Sequence, residues 1–136
     1  MPLARMAMYN KGVEIYLAPT ADSRESWQST MQHIALEGRC FVLAANQFVR
    51  KSDYPADFEE DLANEPEIMC AGGSVIMSPM GEILAGPIWN EEGLLTAELD
   101  FSFLAKSKLD FDVIGHYSRH DVFNFSVNKQ PETLKV

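Results

Sequence analysis

The sequence predicts a layered α/β fold, in which helices cover a β-sheet. The first 46 residues alternate between helical and strand patterns, as expected when strands are covered by helices. The run Cys40–Ala45 is apolar at every position, which is typical of a strand buried on both faces. A β-hairpin pattern follows a long acidic segment. The 136 residues are enough for one compact domain.

Proline and glycine bound the first two elements. Pro2 opens a helix over residues 2–10, since proline tolerates the first helical turn, and Gly12 ends it. The apolar run Val13–Ala18 then lies between Gly12 and Pro19 and predicts a strand. Nothing precedes the helix to pack against it, so we expect the chain to be part of a longer fold.

A second helix is expected over residues 22–37. Asp22 is followed by Glu25 three residues later, as in a capping box. Four apolar residues at helical spacing then mark one face of this helix: Trp27, Met31, Ile34 and Ala35. Gly38 is the expected helix end, just before the buried strand.

The pattern changes after residue 50. Residues 50–69 contain two prolines and no clear periodicity, so we expect an acidic loop insertion. Ser74–Ser78 and Glu82–Ala85 predict a hairpin that Gly86-Pro87 breaks.

Two further elements are expected before the chain ends. Leu94–Leu99 predicts a third strand from a partial alternation, and Phe101–Lys108 a short helix. The extended remainder carries many large apolar side chains, which we expect to be buried. Residues 128–136 are the expected C-terminal tail.

The charge balance excludes one class of partner. The chain has 20 acidic and 11 basic residues, a formal net charge of −9. Nucleic-acid binding needs a basic stripe, and none is present.

No apolar run approaches the roughly 20 residues of a membrane span, and no charged-then-apolar leader opens the chain. With Cys40 and Cys70 both in apolar runs, we expect buried free thiols and a cytoplasmic location.

A few residues could carry chemistry on their own. Glu37 lies beside the buried strand and must be solvated or paired, and Arg39 is the partner nearest in sequence; pairing is favoured over catalysis. His33 on the second helix is more readily structural than catalytic. Cys40 or Cys70 is a nucleophile only if partly exposed in an electropositive setting.

A metal site is a weaker alternative. His116, His120 and Asp121 have i, i+4 and i+5 spacing, which on a helix could hold a metal. The residues around Gly115 do not predict a helix, and no third well-spaced ligand follows. We therefore expect no metal.

Ordered blocks along the chain resemble nitrilase-type carbon–nitrogen hydrolases. They cover about residues 1–127. The matching blocks are Pro2-Leu3-Ala4-Arg5-Met6-Ala7-Met8-Tyr9, Lys11-Gly12-Val13-Glu14-Ile15-Tyr16, Ala18-Pro19-Thr20-Ala21-Asp22-Ser23-Arg24, His33-Ile34-Ala35-Leu36-Glu37-Gly38, Ala45-Asn46-Gln47, Cys70-Ala71-Gly72-Gly73-Ser74 and Phe111-Asp112-Val113-Ile114-Gly115-His116-Tyr117-Ser118-Arg119. His120 stands where the family usually has proline.

The resemblance implies a fold and a reaction. Family members are four-layer α-β-β-α sandwiches that hydrolyse nitriles to carboxylic acids and ammonia, without a metal or organic cofactor. A cysteine thiolate attacks the nitrile carbon, a glutamate acts as general base and a lysine stabilises the developing charge. In the family the cysteine lies just before the Pro-Leu pair, which is Pro2-Leu3 here. The three catalytic residues therefore lie upstream, and we expect this C-terminal half to be inactive alone.

The resemblance also implies roles for residues that are present. Thr20 and Ala21 are expected to line the substrate site, with Glu37 and Asn46 as structural residues near the pocket. The helices over 2–10 and 22–37 resemble a pair that forms a homo-oligomer interface. Four candidate interface residues are apolar enough for either core or interface use: Leu3, Met6, Trp27 and Met31. Alternatively, the chain is a non-catalytic interaction module of nitrilase assemblies.

Overall fold

The structure, a computed structural model, describes residues 1–128. Almost all of the expected tail, 128–136, lies outside the described residues. The helices are α1, Pro2–Tyr9; α2, Ser26–Gly38; and α3, Ser102–Asp110. The strands are β1, Ile15–Leu17; β2, Phe41–Ala44; β3, Phe48–Arg50; β4, Ile68–Met77; and β5, Ile83–Trp89. Within the described part, no helix is both long and apolar enough to span a bilayer.

The long strand β4 organises the sheet. β1 pairs in parallel with β2, and β2 pairs antiparallel with one end of β4. β3 pairs with the other end of that same edge, and β5 pairs with the opposite edge. β1, α2 and β2 therefore form a helix-connected parallel pair, which β4 extends into a mixed sheet.

The core lies between α2 and one face of the sheet. Met31, Ile34 and Ala35 of α2 pack against Val42 and three other strand residues, Ala44, Val75 and Met77. Because side chains alternate along a strand, Leu17, Leu43 and Ile76 point to the opposite face. Leu17 is 68% exposed there, so the structure leaves part of this second face uncovered. We call this the open face, and it is defined by Leu17, Leu43, Ser74 and Ile76.

The boundaries of α2 differ from the prediction. The helix begins at Ser26 rather than residue 22, and no side chain caps it. The Asp22 carboxylate accepts hydrogen bonds from the backbone and side chain of Arg24 instead, so the expected capping box does not form. At the other end Arg39, not a glycine, adopts the left-handed conformation with φ of 45°.

The hairpin is longer than predicted, and β3 was not predicted at all. β5 continues through Gly86-Pro87, where we expected a break. Gly86 has φ of +85°, and a Cβ there would lie 2.6 Å from the Ser74 carbonyl oxygen, so glycine lets the two strands approach. Residues 51–67 form only turns and two short 3-10 helices, and Ile68 and Met69 belong to β4.

The predicted strand Leu94–Leu99 is wrong. This segment has no strand pairing, although Leu95, Ala97 and Leu99 are half-buried and the residues between them are exposed. The alternation in sequence therefore reflects an extended segment lying on the protein body, not a hydrogen-bonded ladder. The expected burial of the last segment is also only partly correct, because Phe123 is 71% exposed.

Candidate functional site

The candidate site lies where β1 and β2 end. These strands are parallel, so their carboxyl ends meet at one edge of the sheet, the usual place for ligands in α/β folds. Thr20 and Asn46 follow the two strands and form an isolated parallel bridge. The Thr20 backbone N–H donates to the Ala45 carbonyl at 3.0 Å. This bridge joins the two segments that the family resemblance implies lie near the substrate site.

Asn46 links three segments at this edge. Its side-chain amide nitrogen donates to the carbonyl of Asp22 at 2.8 Å and to that of Gly72 at 2.5 Å. Its backbone N–H donates to the Ser74 hydroxyl at 2.9 Å, and that hydroxyl donates to the Asn46 carbonyl at 3.1 Å. The loop after β1, the end of β2 and the middle of β4 are therefore held by one residue.

Residues 20–22 form a tight turn. The Asp22 backbone N–H donates to the Thr20 hydroxyl at 3.0 Å. Hydrogen bonds from the Arg24 side chain and backbone lower the pKa of the Asp22 carboxyl to about 2. Ala21 is exposed and its carbonyl faces the Cys70 thiol at 3.8 Å. The turn presents the Ala21 side of the loop to solvent at the sheet edge.

Glu37 lies in a separate cluster that ties α1 to α2. Its carboxylate accepts hydrogen bonds from Arg5 Nε at 2.8 Å and from the Tyr9 hydroxyl at 3.0 Å, and His33 lies 3.6 Å away. Burial acts to raise the pKa of Glu37, but the hydrogen bonds from Arg5 and Tyr9 outweigh it and the pKa falls below its ordinary value. Burial and the nearby carboxylate raise the pKa of Tyr9.

Arg39 is not the partner of Glu37. Its guanidinium contacts Asp110 at 2.5 Å and lies 5.4 Å from the centre of the Phe111 ring. The partner that the sequence suggested is therefore wrong. Proximity in sequence misled because the end of α2 turns the two side chains toward different helices.

Neither cysteine is placed as a nucleophile. Both are buried and unpaired, as predicted. Burial raises the pKa of the Cys40 thiol to about 11, so it stays protonated at neutral pH. Cys70 lies beneath the Ala21 carbonyl and Asn46 Oδ1. Within residues 1–128, no three His, Cys, Asp or Glu side chains converge into a metal-binding group, and this includes His116, His120 and Asp121.

An apolar groove of about 460 Å³ runs along the open face beside this edge. Its walls come from the ends of β1 and β2, from β4 and from residues 93–95. Ser74 lines this groove and also a smaller, more polar pocket of about 180 Å³ with Asn46, Glu91 and Glu92. Pro19 also lines the groove, so the groove is adjacent to the turn at residues 20–22.

The four expected interface residues occupy different environments. Leu3 on α1 is 65% exposed, and Met6 lines a large groove between α1 and the segment Val113–Phe125. Trp27 is half-buried against the core. Met31 is 1% exposed and packs within the core, which is one of the two uses that its apolar character allowed.

Sequence reasoning missed Ser74, Gly72 and Cys70 as neighbours of Asn46. The signals were a serine inside an otherwise apolar strand, and an asparagine shortly after a wholly apolar one. Each polar group needed a partner, but the sequence did not say that they partner each other.

Comparison with known proteins places this geometry in a family. A sequence profile for carbon–nitrogen hydrolases matches residues 1–108. The chain belongs to the carbon–nitrogen hydrolase family. The resemblance seen in the sequence is therefore confirmed.

Relatives of this carbon–nitrogen hydrolase chain include nitrilases. It is 56% identical to a bifunctional nitrilase/nitrile hydratase of Lupinus angustifolius, over 96% of this chain and 39% of that protein. It is 47% identical to an aliphatic nitrilase of Sinorhizobium fredii, over 100% of this chain and 44% of that protein. The chain thus spans about two-fifths of the length of these relatives.

Structural similarity supports the fold. A crystal structure of a carbon–nitrogen hydrolase from Helicobacter pylori superposes with a TM-score of 0.69 at 20% identity, covering 90% of this chain and 43% of that one. The predicted class is confirmed: the helices and sheet are part of an α-β-β-α sandwich.

Proposed function

We propose that this chain is the C-terminal part of a nitrilase that hydrolyses nitriles to carboxylic acids and ammonia. The observation that carries the proposal is the identity of 56% and 47% to two nitrilases over nearly the whole chain. The nucleophile, base and cation are supplied by a preceding segment, as the family resemblance implies.

The open face supports the proposal that the catalytic residues lie in a different segment. A sandwich buries both faces of each sheet, whereas Leu17 here remains largely exposed on the face opposite α2. The second sheet of a complementary half covers Leu17 and Leu43 and completes the burial of Ile76, which is 9% exposed here. The apolar groove beside residues 20–22 then becomes an enclosed space between the two sheets.

Thr20 and Ala21 form one wall of the substrate site in this proposal. They follow β1 at the edge where α/β folds bind ligands. Asn46 supports that wall, and Glu37 supports the helix pair from farther away. A nitrile is small and uncharged, so an apolar groove with a few hydrogen-bonding groups suits it.

A chimera tests the proposal directly. The matched segment of the Sinorhizobium fredii aliphatic nitrilase is replaced by this 136-residue chain, and ammonia release from aliphatic nitriles is measured. We expect hydrolysis that thiol alkylation abolishes. The 136-residue chain alone is expected to release no ammonia, because the Cys40 thiol is protonated and both cysteines are buried.

Two outcomes contradict the proposal. One is a folded chimera, with the same circular dichroism and oligomeric size as the parent, that releases no ammonia. The other is alkylation-sensitive turnover by the isolated chain, which would place a working nucleophile within these residues. The unmodified parent enzyme is the positive control.

Oligomerisation through the helix pair is a further part of the proposal. Leu3 is exposed on α1, and Met6 and Phe123 line the adjoining groove. A second copy of the assembled enzyme packs on this surface, and a cytoplasmic location suits two free thiols. The alternative is that this chain is a non-catalytic module. It predicts that the chain co-elutes with an intact relative, and that the chimera shows no nitrile hydrolysis.

A further inference from the structure

We infer that Asn46 is a positioning residue that holds the Thr20–Asp22 wall in place through its side-chain amide. The effect of Asn46 on catalysis rests on the proposed function, whereas its effect on the geometry of the wall does not. Asn46 touches no reacting atom; it acts through the turn at residues 20–22.

Both amide protons of Asn46 are used. One donates to the Asp22 carbonyl in the turn after β1, and the other donates to the Gly72 carbonyl in β4. Two carbonyl oxygens from remote segments converge on one NH₂ group. Only a side-chain amide of this length offers two donors there while also presenting an acceptor oxygen.

The remaining oxygen of Asn46 faces the Cys70 thiol at 3.8 Å. The same thiol lies 3.8 Å from the Ala21 carbonyl, so the wall and the Asn46 amide together cover the sulfur. Cys70 is 6% exposed in this position. Release of the wall therefore uncovers Cys70, and the thiol reports on the geometry.

An exchange of amide for carboxylate isolates the role of Asn46. Asn46→Asp keeps the shape but replaces the donor group with an anionic oxygen against two carbonyls. Gln47→Glu makes the same chemical change at the next residue, which is exposed, and is the matched control. Ser74→Ala removes only the hydroxyl that holds the Asn46 backbone, and serves if Asn46→Asp does not fold.

Thiol labelling of the 136-residue chain tests the geometry. Labelling of Cys70 and Cys40 is followed by mass spectrometry at neutral pH, with the urea-unfolded chain as reference. We expect Cys70 to label about tenfold faster in Asn46→Asp than in the unsubstituted chain. The labelling rate of Cys40 in Asn46→Asp, and that of Cys70 in Gln47→Glu, are expected to be unchanged. Ser74→Ala is also expected to raise the labelling rate of Cys70, but by a smaller factor than Asn46→Asp.

Two labelling results overturn the inference. One is an unsubstituted chain whose Cys70 reacts as fast as in urea, since the wall then does not cover it. The other is equal Cys70 rates in the unsubstituted chain, Asn46→Asp and Ser74→Ala.

Kinetics of the chimera test the consequence. Asn46→Asp is expected to raise KM for a nitrile about tenfold and to lower kcat less than about threefold, because the wall is displaced but the nucleophile is not. If Asn46 had only a structural role, the substitution would leave fewer active molecules and would lower kcat without changing KM. That result would overturn the assignment. An inactive parent chimera contradicts the proposed function alone, since the labelling result stands without it.

Discussion

At the scale of residues, the Glu37 cluster shows how a charge is kept beside a core. Arg5 and Tyr9 on α1 both donate to one carboxylate oxygen of Glu37 on α2. A carboxylate in such a half-buried position is costly unless it is hydrogen-bonded. The cluster therefore fixes the position of α1 against α2.

The cluster predicts a dependence of stability on pH. The Glu37 pKa is lower in the folded than in the unfolded chain, so its contribution is complete above about pH 4.5, its ordinary value, and is lost as the pH falls through the lower folded value. Glu37→Gln is expected to lower the free energy of unfolding by about 1 kcal/mol at neutral pH and to flatten its change below pH 4.5. Urea unfolding at several pH values measures both effects.

Glu14→Gln is the matched control, because the Glu14 side chain is exposed. The same pH profile for Glu37→Gln and Glu14→Gln would show that the cluster does not stabilise the chain.

The residue scale also marks a limit of sequence reasoning. That Glu37 needs a partner followed from its place beside an apolar strand. The identity of the partner did not, because Arg5 is 32 positions away and only the crossing of α1 and α2 brings it close. Asn46 was expected near the pocket for its place in a family block, while its contacts with Asp22, Gly72 and Ser74 came from the fold.

At the scale of elements, periodicity predicted the helices and most strands within a few residues. α2 is the clearest case, since Met31, Ile34 and Ala35 repeat at helical spacing and all three pack on the sheet. β3 was missed because three residues beside an acidic loop carry too little pattern. Leu94–Leu99 failed for the opposite reason: burial alternates there without any pairing partner.

The α2 face predicts the cost of a core cavity. Met31→Ala removes a side chain that is 1% exposed, and we expect a loss of about 2–5 kcal/mol in the free energy of unfolding. Met8→Ala on α1 makes the same change at a residue that is 44% exposed and is the control. Urea unfolding followed by tryptophan fluorescence measures both variants. A loss for Met31→Ala no larger than for Met8→Ala would place Met31 outside the core.

At the scale of the whole molecule, α2 covers one face of the sheet, and the open face is only partly covered. The family resemblance predicted the sandwich correctly. Neither the alternation of strand residues nor their composition showed which of them face α2 and which face outward. That assignment depends on the register of β2 with β4, a pairing across the acidic segment.

The open face predicts that the isolated chain self-associates and binds hydrophobic dyes. Leu17→Lys is expected to reduce both effects, because it places a charge on the apolar surface, and to prevent activity of the chimera. Leu109→Lys, at a leucine that is 83% exposed on α3 and does not line the groove, is expected to change neither. Gel filtration, dye fluorescence and ammonia release measure these outcomes. A cooperative melt of a monomeric, dye-free wild-type chain would contradict the prediction.

Asn46 has a thermal consequence as well. The segments that it joins lie 24 and 26 positions away along the chain, so its bonds survive only while two loops remain closed. The packing of α2 on Val42 and Ala44 of β2 closes a much shorter loop. On warming, the edge at Thr20 is therefore expected to loosen before the interior melts, and the chimera is expected to lose activity at a lower temperature than its helical signal.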